Sequence, residues 1–339
     1  MLRRGLVVIS ILAISCMVLM PVGLLFGGVD IPVKDVLSAL IASSEDSVID
    51  FIIFENRLPA LFASFLSGAA LALAGLLMQT CFNNPLAGPS IMGISSGSSL
   101  GVGLVILAMG EVAGTWGRMA SIGGAFIGAI AVMLVLMAFS AIVRSSDVLL
   151  IIGILIGYLT SSAITLLNFF GSERAVHSYV VWGLGSFSGV PLEDIPFMGI
   201  AISFLVVFAF CMVKVLNALL LGERYANSVG VSVDASRMWL LLLSGGLTAV
   251  VTAWCGPIGF IGLVVPHIAR MLVASSNHKV LLPATLFAGG LVGLVCQIIS
   301  VAPSLSQGGI IPINAITPVI GVPVIVYVLL NRRKLLYFN

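Results

Sequence analysis

Long uncharged, apolar runs alternate along this chain with short stretches that carry nearly all of its polar side chains. A helix crossing a bilayer needs about 20 mostly apolar residues, and ten such runs can be marked: 5–26, 58–80, 91–109, 119–142, 148–170, 195–217, 238–255, 258–274, 280–301 and 314–331. The pattern predicts an all-α polytopic membrane protein of ten transmembrane helices, one transmembrane domain spanning 1–339. Only Gly256, Pro257 and Gly259 separate the seventh run from the eighth, which is short and interrupted by Pro266. Two helices, or one bent helix with a re-entrant piece, fit that stretch equally.

Composition agrees with the pattern. Of 339 residues 60% are hydrophobic and 8% charged, against about 25% charged in soluble domains. The few charges orient the chain. With ten spans and the N-terminus inside, Arg3, Arg4, Arg144, Lys214, Arg224, Arg237, Arg270, Lys279, Arg332, Arg333 and Lys334 fall on one side, and Lys34, Arg57, Arg118 and Arg174 on the other. Basic residues favour the cytoplasmic side, so both termini are predicted to be cytoplasmic. Acids run the other way, with only Asp147, Glu223 and Asp234 on the inner side. Arg3 and Arg4 before an apolar run also describe a signal peptide. The run is longer than a signal core and no clear cleavage site follows it, so it is read as a retained first span.

Candidate chemistry is sparse. No Asp, Glu, Lys or Arg lies near the middle of a predicted span, where an ion-coupled transporter usually keeps one. The chain has no phosphate-binding loop and no Gly-Lys pair, no H-E-x-x-H and no G-x-S-x-G, which leaves no motif for its own ATP hydrolysis or for catalysis. His177, His267 and His278 lie in three different regions. Cys16, Cys81, Cys211, Cys255 and Cys296 form no C-x-x-C pair, and scattered thiols in apolar helices act as small hydrophobes. Neither catalytic residues nor a metal site are predicted. Gly97/Gly101, Gly124/Gly128, Gly153/Gly157 and Gly289/Gly293 each put two glycines on one helix face for close packing.

Two connecting stretches are structured and one is conspicuously polar. Asn83 to Ser90, NNPLAGPS, has prolines that stop a helix and a glycine that permits a sharp turn, predicting a tight inward hairpin. Ser172 to Pro191 carries Tyr179, Trp182 and Phe187; these suit the lipid headgroup region, or else the segment dips inward and lines a path. Leu221 to Arg237, LGERYANSVGVSVDASR, is a cytoplasmic polar segment between the sixth and seventh spans.

RLPALFASFLSGAALALAGLLMQTCFNNPLAGPSIMGISSGSSLG (Arg57 to Gly101), LGERYANSVGV (Leu221 to Val231) and GPIGFIGLVVPHIARMLV (Gly256 to Val273) resemble the permease subunits of type II ATP-binding-cassette importers for iron-siderophores, haem and vitamin B12. The resemblance runs from the first span to GVPVIVYVLLNRR. It implies a second permease subunit, a homodimer or a pair of different chains, and two cytoplasmic ATPases that bind ATP and Mg, since this chain binds no cofactor. It also implies an extracytoplasmic binding protein and a location in the inner (cytoplasmic) membrane, with no nucleic-acid partner.

By the same resemblance, Leu221 to Arg237 forms short helices that sit in a groove of the ATPase. Gly222, Ala226, Ser228 and Gly230 are then small residues for close docking, and Glu223 and Arg224 make charged contacts. Asn84, Pro85, Leu86 and Ala87 are the matching inner-loop motif. Arg57 is the candidate for docking the binding protein, with Arg118 and Arg174 as substitutes. Two departures bear on that surface: Ala60 stands where relatives often have a base, and GGIIPINA replaces the usual acid-Leu-Pro-x-Gly before the last span. His267 and Arg270 are read as structural rather than as haem ligands. Iron-siderophore or haem stands ahead of vitamin B12 on family breadth alone. An ATP-independent secondary transporter or channel, and a membrane scaffold or enzyme, are the competing classes.

Overall fold

A computed structural model of the chain describes residues 2–42, 47–108, 114–143, 145–302 and 309–330. Arg144, Arg332, Arg333 and Lys334, which entered the charge count, lie outside the described residues. Helices account for all the regular structure among the described residues: α1 (Leu2–Gly23), α2 (Val33–Ala42), α3 (Ser47–Phe51), α4 (Leu58–Cys81), α5 (Ile94–Gly103), α6 (Gly114–Ile142), α7 (Ser146–Phe170), α8 (Glu173–Gly183), α9 (Ile195–Cys211), α10 (Val213–Leu219), α11 (Glu223–Ser228), α12 (Val233–Cys255), α13 (Ile261–Val273), α14 (His278–Val301) and α15 (Ile313–Leu330). Seven described helices are long and apolar enough to cross a membrane. Three shorter apolar ones, Ile94–Leu107, Ile261–Val273 and Ile313–Val328, fall on the third, eighth and tenth predicted runs.

Local chemistry sets the helix ends. Ser145, Ser172 and Ser232 cap α7, α8 and α12 by accepting from the backbone N–H three residues on, and Asn277 caps α14 through the N–H of Lys279; each satisfies a donor that the helix start leaves free. Gly256, at φ 77°, closes α12, and α13 starts afresh after Phe260. The seventh and eighth runs are therefore two separate helices, not one bent helix.

Three boundaries differ from the sequence expectation. The second helix starts earlier: α3 continues through a π-helical turn, Ile52–Arg57, into α4 as one apolar rod, Val48–Cys81. Asp50 and Glu55 had broken the apolar run there. The third begins later, because residues 88–93 turn back and Gly93, in the left-handed region at φ 75°, precedes α5; a second π-helical turn, Leu104–Ala108, ends it. The sixth divides at Met212 into α9 and α10.

At the centre stands α4, with α14, α12 and α13 packed around it and α1 on the outer side of α14; α5, α6 and α7 form a second group. Glycines permit the tightest contacts. A Cβ built on Gly75 would come within 1.6 Å of the Gly262 carbonyl oxygen, and one on Gly68 within 2.1 Å of that of Gly289. The Gly97/Gly101 face meets Gly128 and Gly124 in the same manner, so three of the predicted glycine pairs serve backbone approach, and of the fourth Gly153 does while Gly157 leaves room for a methyl group.

Candidate functional site

The polar segment 221–237 folds into α11 and the first turn of α12. Gly222 (φ 96°) and Gly230 (φ 83°) bracket α11, and a Cβ on either would meet nothing within 4 Å. Their role here is conformational, since other residues are strained at such φ values. Ala226 is fully buried and anchors the helix. Arg224 and Ser228 face outward, and the Ser228 hydroxyl donates to the Tyr225 carbonyl at 2.8 Å. Glu223 is engaged inside the chain: its Oε1 accepts from Arg237 Nη2 at 2.8 Å, and Arg237 is almost wholly buried. Leu221, Tyr225 and Val229, spaced by four, are 64%, 46% and 52% exposed. Sequence reasoning passed over these exposed apolar residues, which lie just before, on and just after α11.

The loop Asn83 to Ser90 follows α4, whose Cys81 lies beside Arg237. The Asn84 Oδ1 accepts from the Leu86 N–H at 2.9 Å, and the Ala87 N–H donates to the Asn84 carbonyl at 3.1 Å, a turn closed by its own side chain. Ala87 is fully buried and Leu86 exposed. The Pro85 carbonyl accepts from His267 Nε2 at 2.9 Å, and Arg270 Nη1 donates to Gln79 Oε1 at 2.8 Å. His267 and Arg270 thus hold the loop and the end of α4.

At the opposite end the candidate cations are differently placed. Arg57 is 5% exposed. Its Nη1 donates to the Leu24 carbonyl at 2.6 Å and its Nη2 to that of Val29, and Gly27 leaves the space for its guanidinium. Arg118 pairs with Glu193 and, at 3.4 Å, with Asp194, whose Oδ2 also accepts from Trp254 Nε1. Lys34 and Arg174 are exposed. The aromatic residues of 172–191 turn inward: Phe187 is fully buried, and the Tyr179 hydroxyl donates to the Ser99 carbonyl. For these two the headgroup reading gives way, because their rings pack on protein.

Two cavities flank α8. One, about 410 Å³, is lined by Ser90, Ser95, Ser96, Ser99, Ser161 and Asn314 among others, with no charged side chain. The other, about 530 Å³, takes in Trp182, Trp254, Arg118 and Asp194. Tyr158, Ser161, Ser162 and Thr165 are exposed along one side of α7. Hydroxyl-bearing residues concentrated in mid-span are disfavoured against lipid, so this side suits water or another chain. The run SSGSS at 95–99 announced the polar wall; its meeting with Ser161 and Asn314 depends on tertiary packing.

Among the described residues, no group of three His, Cys, Asp or Glu is placed to hold a metal ion.

Comparison with known proteins gives a consistent picture. Residues 13–331 match the model of the FecCD transport family. The vitamin B12 import system permease protein BtuC of Salmonella typhi is 34% identical over 286 residues, 84% of this chain and 85% of that protein; BtuC of Salmonella newport (strain SL254) matches to the same extent. A solved metal-chelate type ABC transporter in an inward-facing conformation superposes with a TM-score of 0.81 at 29% identity, over 96% of this chain and 98% of that one. PsaBC from Streptococcus pneumoniae, at 15% identity and a TM-score of 0.51, shares the fold. With apolar helices long enough for several crossings and a family match over nearly its whole length, the chain belongs to the FecCD transport family and is a multi-pass membrane permease.

Proposed function

We propose that this chain is the membrane-spanning subunit of an ATP-driven importer that moves a metal chelate inward. It crosses the cytoplasmic (inner) membrane ten times with both termini in the cytoplasm and pairs with a second copy of itself. Two ATPase chains, which bind the ATP and Mg, dock on the α11 side, and a binding protein delivers cargo at the α8 side. The observation that carries this reading is α11: a short exposed helix in a chain without a nucleotide motif, fixed to α12 by Glu223 and Arg237, and presenting Leu221, Tyr225 and Val229. Exposed apolar residues clustered on one short segment favour a protein partner. Gly222, Ala226 and Gly230 shape that helix, while Arg224 and Ser228 form its polar rim. The inner-loop residues Asn84, Pro85, Leu86 and Ala87 follow the end of α4, whose Cys81 lies beside Arg237.

Docking of the binding protein is assigned to Arg57 in an indirect form. Arg57 holds the turn 24–29, and Arg174 at the start of α8 supplies exposed charge. The serine-lined cavity and the hydroxyl side of α7 form part of the cargo path. A neutral polar wall binds weakly, which suits a cargo that arrives already chelated; iron-siderophore, haem and vitamin B12 all meet that description. The named B12 relatives and the metal-chelate transporter support this class.

Native mass spectrometry of the complex extracted from its source membrane tests the assignment. Two copies of this chain with two ATPase chains are expected, and a co-purifying chelate would name the cargo. A chain that retains no ATPase, with uptake that collapses under a protonophore while ATP stays high, would replace this reading with a secondary transporter.

A further inference from the structure

The last turn of α4 presents Gln79, Thr80 and Cys81 in succession. Consecutive residues on a helix point about 100° apart, so three together face most of the circumference. Each reaches a different neighbour. Gln79 accepts from Arg270 on α13 and donates to the Leu263 carbonyl at 3.1 Å. Thr80 Oγ1 lies 3.0 Å from His278 Nε2 on α14. The Asn217 Oδ1 on α10 accepts from both the N–H and Nδ1 of His278, at 2.9 and 3.0 Å, so His278 Nε2 is left as an acceptor, and the single Thr80 hydroxyl proton is shared between it and the Leu76 carbonyl, also 3.0 Å away. Asn217 Nδ2 in turn donates to the Asn277 cap of α14 at 3.1 Å. Cys81 lies beside Arg237, the partner of Glu223 on α11.

Gln79 and His278 are fully buried and Thr80 nearly so. Apolar side chains would fill this space without the desolvation that buried polar groups incur. What the polar set adds is direction. A buried hydrogen bond fixes distance and angle and is expensive to leave unmade, whereas an apolar contact lets two helices slide.

We infer that the last turn of α4 is a rigid joint. Through Thr80, His278 and Asn217 it makes α10 and the attached α11 move as one body with α4 and α14, so that displacement at α11 is delivered to the spans rather than absorbed locally. These are positioning residues, and the inference rests on the proposed docking of an ATPase at α11.

The test uses the whole complex in proteoliposomes. Thr80→Val removes the hydroxyl at nearly constant volume. It is expected to keep ATPase association and basal hydrolysis while cargo imported per ATP falls about tenfold, the equivalent of one buried hydrogen bond; Thr80→Ser restores the ratio. A wild-type ratio in Thr80→Val would overturn the joint and leave the docking intact, whereas a complex without an ATPase would overturn the docking itself. A second measurement does not depend on the stability of that variant. Spin labels are placed at the exposed Asn227→Cys and Lys279→Cys, with the exposed native Cys211 changed to serine. One unshifted distance is expected in resting and nucleotide-trapped states. A shift between states beyond the width of the resting distribution would mean that α11 moves relative to α14 and that no rigid joint exists.

Discussion

Helices α4 and α7 have nearly equal length, 24 and 25 residues, and both are strongly apolar. Yet 83% of the most apolar window of the rod ending in α4 is buried within the chain, against 17% for α7. Their residue sizes account for the difference. Small side chains dominate the middle of α4, from Ala63 to Gly75, letting α13 and α14 approach to backbone contact. The outer sides of α7 carry Leu155, Leu159, Phe169 and Phe170, which need lipid or a partner. Apolar content identifies a membrane helix, whereas side-chain size tells whether that helix is the hub or the rim.

Substitutions can break this contrast. The largest effect belongs to Gly75→Val, whose new side chain would collide with the backbone of Gly262. It is expected to cost more than about 4 kcal/mol and to abolish recovery of monodisperse protein in detergent; normal yield and melting would show that α4 is not the hub. Next comes Glu223→Arg, which sets a second cation against buried Arg237. Uptake should fall by about tenfold or more, since breaking a buried pair costs about 3–5 kcal/mol and this one is half open to water. Membrane insertion, read by protease protection of the termini, should be unchanged.

Arg57→Ala leaves the Leu24 and Val29 carbonyls without their donor and should lower stability by about 1–3 kcal/mol in thermal unfolding. Arg174→Glu, on an exposed site, should weaken only the binding protein's association, measured by surface-immobilised titration. The reverse outcome, with Arg57→Ala affecting association alone, would restore a direct docking role to Arg57. On α7, Ser161→Leu is expected to reduce uptake several-fold while stability moves by no more than about 0.5 kcal/mol. The smallest effect is Gly157→Ala, where a Cβ finds only ordinary contacts at 3.8 Å or more; a change within about 1 kcal/mol of either sign follows from helix propensity.

Much of the architecture was readable because the bilayer imposes it. Each predicted apolar run contains helix, seven of the described helices are long and apolar enough to cross a membrane, and most of the paired glycines fall on real backbone contacts. The errors lie where a charge interrupts a continuing helix, as Asp50 and Glu55 do, or where one residue divides it, as Met212 does. The site was readable in outline, as a polar segment held between apolar spans. Its wiring was not. Arg57 bonds carbonyls 28 and 33 residues away, and backbone acceptors leave no mark on a sequence. Glu223 and Arg237 are 14 residues apart, too far for a helix-face rule, so Glu223 reads from sequence as an outward charge.

The π-helical turn Ile52–Arg57 fits an extra residue into its coil relative to an α-helix, and it sits where Arg57 reaches back to Leu24 and Val29. Removing one residue there would restore ordinary pitch and leave the two halves of the rod nearly in phase, because the wider turn already holds the extra residue. Elsewhere, slack in a loop absorbs a gain or loss of chain. In this turn the width of the coil does the same, so a single-codon deletion there would leave the rod in register.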